Sequence, residues 1–196
     1  MRRTLLSFAF VLAAAPVVLA QAVEVDGSDV TFPARETFQV AGQEVAMTAT
    51  GAALREKAWF NVYAICSYID AGAKVADARA LVAADVPKAL VLVMERDVDG
   101  DDMAEAFEDA VRLNHPEPEF AAELQRFRAF FDPKEAIEGK KITFLHLPKV
   151  GVLCSIEGQG ELKIESVAFA QAIWDIYLGP KNIGDDIKQG MTSRLR

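Results

Sequence analysis

Two segments constrain this chain more than any others: the run Gly51-Ala-Ala-Leu-Arg-Glu-Lys-Ala-Trp-Phe-Asn-Val-Tyr-Ala-Ile-Cys-Ser-Tyr-Ile69 and the run Phe169-Ala-Gln-Ala-Ile-Trp-Asp-Ile-Tyr-Leu-Gly-Pro180. The first places a single arginine, Arg55, beside a long apolar strand. The second is punctuated as a helix, because Ser166 is a good N-cap, Gly179 can supply a left-handed turn after the last helical residue, and Pro180 prevents continuation. Phe169, Ile173, Ile176 and Tyr177 share its inner face at i, i+4, i+7 and i+8, with Trp174 at the border. A sheet roofed by this helix, with one cation near the edge, makes a site for an anionic, greasy molecule, although an aromatic stripe of this kind also serves as plain core.

The first residues belong to a different function. Arg2 and Arg3 precede an apolar run from Leu5 to Leu19, broken by no charge and only by Ser7 among polar residues, short for a bilayer span, with small residues at Val18 and Ala20 or at Ala20 and Ala22 for cleavage. Residues 1–22 read as a secretory signal peptide and residues 23–196 as one domain. The expected mature protein is soluble and exported, periplasmic in a Gram-negative cell, without stable membrane insertion once the signal is removed. A domain of this size buries about 70% of the surface that its unfolded chain exposes, so it needs no covalent staples.

Charge narrows the partners. The full chain carries −8, and loss of Arg2 and Arg3 takes it to −10. Lys and Arg are scattered without blocks, which argues against nucleic acid as a partner. Cys66 and Cys154 can pair in an oxidising compartment or stand apart as buried thiols. His115 and His146 lack companions at zinc-ligand spacing, so no metal site is expected. Asp97, Asp99, Asp101 and Glu108 fall at calcium-loop spacing, yet Asp102 occupies the position where that loop turns on glycine. Acids ahead of a helix starting near Met103 complement its N-terminus, which accounts for them. No cofactor is called for.

Periodicity sets the order of elements. Strand signals cover Val30 to Phe32, Phe38 to Val40, Val45 to Thr50 and Ala58 to Ile69, with Gln43 to Met47 as the return arm of a hairpin. A short helix spans Asp77 to Ala84, and Ala89 to Met94 is apolar enough to be a strand covered on both faces. The period then changes: Met103, Phe107, Ala110 and Val111 recur at helical spacing, as do Phe120, Leu124, Phe127 and Phe131. Lys141 to Leu147, Gly151 to Glu157 and Glu161 to Ile164 form a meander before the last helix. Short links between strands predict an α+β fold, a large antiparallel sheet with helices gathered on one face.

Taken in order, Gly51 to Arg55, Phe60 to Tyr68, Met94-Glu-Arg-Asp97, the Gly151 strand and Ala172 to Gly179 with Asp186-Ile-Lys188 resemble the chalcone isomerase family, in its bacterial exported branch. The resemblance covers roughly Val25 to Leu195. It implies an open-faced sandwich with a pocket between sheet and helices. In the family's plant enzymes an arginine guides the substrate phenolate, and Arg55 matches it. Tyr63 stands where those enzymes carry a threonine, Glu95 where they carry a ketone-polarising tyrosine, and Ile176 where the last helix offers a threonine or serine. Losing a donor aimed at a developing enolate typically costs about 3 kcal/mol, so flavanone-forming chemistry is not expected. Non-catalytic plant relatives hold a fatty acid's carboxylate with the equivalent arginine and a tyrosine. The resemblance therefore implies a ligand site of Arg55, Tyr63, Glu95 and Ile176 in a periplasmic binding protein for a fatty acid or similar small apolar anion. Two alternatives stay open: an intramolecular lyase of the chalcone isomerase type, and a partner-binding scaffold in which Arg55 pairs internally with an acid such as Glu95 and side chains fill the cavity.

Overall fold

The computed structural model describes residues 21–195. Most of the expected signal peptide, residues 1–20, therefore lies outside the described residues. The elements in chain order are β1 (Ala22–Glu24), β2 (Thr31–Pro33), β3 (Arg35–Val40), β4 (Gln43–Lys57), β5 (Phe60–Asp70), α1 (Ala78–Ala83), β6 (Lys88–Met94), β7 (Val98–Asp99), α2 (Gly100–Arg112), α3 (Ala121–Phe131), β8 (Glu135–Ala136), β9 (Lys141–Leu147), β10 (Gly151–Ile156), β11 (Gly160–Ile164), α4 (Val167–Leu178) and α5 (Asp185–Met191). Seven strands form one antiparallel sheet in the order β11-β10-β9-β6-β5-β4-β3. The fold is α+β, as the periodicity predicts.

The pleat divides the core in two. Tyr63, Ile65 and Ile69 of β5 and Leu90, Leu92 and Met94 of β6 join the apolar faces of α2, α3 and α4. Ala64, Cys66 and Tyr68, with Ala89 and Val91, pack on the other side against Val23, Val25 and Phe32 from the β1–β2 hairpin. Both central strands are thus buried on both faces, which explains their continuous apolar runs. The same alternation separates the two cysteines. Cys66 belongs to one cluster and Cys154 to the other, three strand spacings apart, about 14 Å. Both are free and buried, and no disulfide can bridge that separation.

Several boundaries differ from the sequence expectation. Strand β4 does not stop at Thr50 but runs to Lys57, passing Gly51 through a bulge where the register shifts between Ala49 and Gly51. Strand β5 begins at Phe60, because Ala58 and Trp59 form the two-residue loop of the β4–β5 hairpin, with Ala58 at φ 56°. Gly179 is not left-handed: its φ is −66° and ψ 176°, and the helix ends in extended backbone. What it supplies is room, since a Cβ there would lie 2.5 Å from the Asp175 carbonyl oxygen. Trp174, expected at a border, is fully buried. The α5 helix, strand β1 and the small β7–β8 pair add elements that periodicity did not reveal, while β2 falls on the Val30 to Phe32 signal.

Asp101 and Asp102 occupy the first turn of α2, and Asp97 Oδ1 accepts the Glu138 amide at 2.8 Å. The acidic run is thereby divided between a helix start and a loop contact. Among the described residues no group of three His, Cys, Asp or Glu side chains is placed to hold a metal ion, and no helix is long and apolar enough to cross a membrane.

Candidate functional site

Arg55 is set in place by a chain of backbone contacts that starts at Gly51. This residue has φ 146°, and a Cβ on it would lie 2.1 Å from the Gly190 carbonyl oxygen, so only glycine lets α5 lie against β4. Thr50 Oγ1 then donates to the Met191 carbonyl at 2.9 Å, and the Arg194 amide donates to the Thr50 carbonyl at 2.9 Å. With α5 docked, the loop after α4 is fixed as well. The Ile183 amide donates to the Ile176 carbonyl, and Arg55 Nη1 donates to the Ile183 carbonyl at 3.1 Å. Among the described residues Arg55 makes no ion pair. Its planar fork therefore keeps donors for another acceptor.

Beside it lie two phenols. Tyr63 comes from β5, directly across from Arg55 in the register, and Tyr177 from α4. Their hydroxyls are 3.2 Å apart, and both rings are buried. One hydroxyl donates to the other, which leaves the accepting hydroxyl with a proton of its own to give. Burial pushes the Tyr63 phenol above its ordinary value, and the hydrogen bond to Tyr177 and the charge of Arg55 only partly oppose it. Burial raises Tyr177 still more clearly. Both groups are neutral donors at physiological pH.

These residues face a cleft of about 710 Å³ between the β4–β5 end of the sheet and helices α2 and α4. Met103, Phe107 and Ala110 of α2 and Ile176 of α4 form its apolar wall. Its rim is charged with both signs and mainly acidic: Lys57 and Arg96, with Asp97 beside Arg96, stand on the strand side, and Asp99, Asp102, Glu105 and Asp109 on the α2 side. The size falls in the ordinary range for small-molecule sites, but the lining is divided about evenly between polar and apolar surface, and Met103, Phe107, Ala110 and Ile176 each show it only a small part of their side chains.

Arg55, Tyr63 and Ile176 thus come together. Glu95 does not join them. The pleat that turns Met94 into the helix-side core turns Glu95 to the opposite face, where its Oε2 accepts from Asn61 Nδ2 at 2.8 Å and Asn61 also donates to the Gly27 carbonyl. The Arg55–Glu95 pair of the scaffold alternative is absent among the described residues for that reason. Two contributors escaped the sequence reading: Tyr177, whose place on the inner face of α4 was visible but whose hydroxyl partner was not, and the Ile183 carbonyl, which depends on an unforeseen helix.

Comparisons with known proteins bear on the fold and the family. The crystal structure of a fatty-acid binding protein from Arabidopsis thaliana superposes with a TM-score of 0.66 at 19% sequence identity, covering 88% of this chain and 96% of the plant chain. That likeness concerns the fold. Comparison with curated protein sequences returns no match. A profile described as chalcone isomerase-like matches residues 22–192, nearly the whole described chain, and the protein belongs to that family.

Proposed function

We propose that this protein is an exported, non-catalytic carrier that binds a fatty acid or a similar small apolar anion in the cleft between sheet and helices. One observation carries the reading: a guanidinium that has no acid partner among the described residues stands beside a buried phenol pair with one proton to spare, on a cleft whose inner wall is apolar and whose rim is charged. A carboxylate head would accept from Arg55 and from the phenol pair, both charge-assisted contacts of the stronger kind. Each methylene of the tail laid against Met103, Phe107 and Ile176 adds about 0.8 kcal/mol. The acids on the α2 rim are exposed and screened within about 8 Å at physiological ionic strength, so they oppose the head only weakly.

The structural neighbour, itself a fatty-acid binding protein, supports the reading by its fold. The lyase alternative loses support, because the position that the resemblance matches to a ketone-polarising tyrosine holds Glu95, outside the cleft. Export rests on the N-terminal Arg-Arg and apolar run, and periplasmic residence follows if the cell has two membranes. Strand β1 starts at Ala22, and the Gln21 carbonyl accepts the Ala34 amide at 2.7 Å, which favours cleavage after Ala20. Native mass spectrometry of protein purified from its own cells tests the central point. We expect a co-purified acid on the wild type that is missing from Arg55→Ala, and a wild type with no adduct and no fatty-acid-induced rise in melting temperature would refute it.

A further inference from the structure

The most exposed apolar side chains of the described residues sit together at the tip of the β4–β5 hairpin. Trp59 is 91% and Phe60 59% solvent-exposed. Two-residue hairpin loops usually carry Asn-Gly or a similar pair, because the loop backbone needs positive φ. Here the loop is Ala58-Trp59, with alanine itself at φ 56°, and the outermost position is given to an indole. Trp59 lies outside the cleft lining and packs into neither core cluster. Nothing in ligand binding or folding accounts for it.

Its surroundings specify what it meets. The Arg96 guanidinium lies over the Phe60 ring at 5.3 Å, and Lys57 pairs with Phe60 across the hairpin. Lys57, Phe60 and Arg96 also line the strand side of the cleft, with Asp97 next to Arg96 and with Asp99, Asp102, Glu105 and Asp109 on the α2 side. An exposed indole and phenyl flanked by two cations, with acids across the cleft, match the headgroup layer of a bilayer. There the ring of tryptophan rests with one edge apolar and one edge wet. The basic residues meet phosphates, and the acidic ones meet ammonium groups. At −8 for the full chain and −10 without Arg2 and Arg3, the molecule would be repelled by a strongly anionic surface, so the complementary surface is zwitterionic.

We propose that the Lys57–Phe60 hairpin tip, with Arg96, docks the protein on a zwitterionic phospholipid surface and sets the cleft mouth against it. The docking does not depend on which ligand the cleft holds. The protein offers its own reporter: of its two tryptophans, Trp174 is fully buried, so a change in emission on binding reports Trp59.

The test uses the mature exported protein and vesicles of phosphatidylethanolamine and phosphatidylcholine, read by tryptophan emission and by co-sedimentation. We expect a blue shift that saturates with lipid, and a partition about tenfold weaker for Trp59→Ala at an unchanged melting temperature. Vesicles enriched in phosphatidylglycerol should bind less. Arg55→Ala should partition like the wild type, so that the cleft reading and the docking can fail separately. The proposal is overturned if the wild type neither shifts nor sediments, if Trp59→Ala sediments as well as the wild type, if only anionic vesicles bind, or if the emission shifts with a protein partner and never with lipid.

Discussion

Two cations lie beneath the same helix, and their surroundings could hardly differ more. Arg55, near Tyr177, is half-buried, makes one hydrogen bond to a backbone carbonyl and looks into an open cleft. Lys88, near Trp174 one helical turn away, is fully buried. Its Nζ donates to the Leu81 and Val82 carbonyls at 2.9 and 2.6 Å and lies 5.0 Å from the Trp174 ring centroid. The C-terminal end of α1 is closed by that ammonium, and the cross-strand neighbour His146 is closed off by Asp85 at 3.0 Å. A cation whose donors are consumed by helix carbonyls is part of the architecture. One whose donors are left facing an apolar space is available to a ligand. On the proposed function, the two ends of the helix layer divide stability from binding.

Substitutions can break that division, and the largest effect should come from the closed end. Lys88→Ala leaves two α1 carbonyls without their donor and opens a cavity beside Trp174, and we expect a loss of about 3–5 kcal/mol by chemical denaturation. Arg55→Ala, judged by the same measurement, should stay within about 1 kcal/mol of the wild type. Equal losses would erase the distinction. Next comes Gly51→Ala, whose new methyl would meet the Gly190 carbonyl oxygen at 2.1 Å and push α5 from β4, at a cost of about 1–3 kcal/mol. Because α5 fixes the Ile183 loop, this variant should also lose affinity in the cleft, which a thermal-shift titration with palmitate would show.

The third effect is a pH dependence that arises at the closed end. Burial lowers Lys88 from 10.5 to about 8, against the attraction of Asp85 and Asp175. Between those two values the unfolded chain binds the proton that the folded chain has released, so this residue's contribution to stability improves as pH rises from about 8 to 10.5. Lys88→Met should lack that slope, and the difference between the two denaturation curves across the window measures it. His146 acts at lower pH: burial lowers it from 6.5, Lys88 adds to the shift, and the Asp85 hydrogen bond opposes it. Acidification below 6.5 protonates the unfolded chain first and erodes stability. The erosion should shrink in His146→Gln, and an unchanged slope would contradict this account of the site.

The unequal legibility of the two regions has physical causes. Apolar periodicity revealed the sheet-and-helix layering, because β6 is apolar on both faces and Phe107, Phe127 and Phe131 recur at helical spacing. Arg55, Tyr63 and Ile176 were legible as a group because each follows from a strand or helix face. Glu95 was misjudged through a one-residue alternation, since the register Tyr63–Met94 sends Met94 to the helices and its neighbour away from them. Tyr177 sits on a face that the pattern exposed, but a hydroxyl pairing between residues 114 positions apart has no local signature. The Ala58-Trp59 loop lacks the glycine or asparagine by which hairpin turns are usually read, so the strand seemed to begin two residues early. Likewise Gly51, which looks like a strand breaker, is a bulge whose purpose depends on α5 at the far end of the chain.

The most direct measurement is calorimetric titration of delipidated mature protein with palmitate and with hexadecanol, for the wild type, Arg55→Ala and Tyr177→Phe. The account predicts that the wild type prefers the acid to the alcohol, that Arg55→Ala weakens palmitate by about 30-fold or more while leaving hexadecanol nearly unchanged, and that Tyr177→Phe weakens palmitate less. Equal affinity of the wild type for the two ligands, or palmitate binding that survives Arg55→Ala intact, would contradict it.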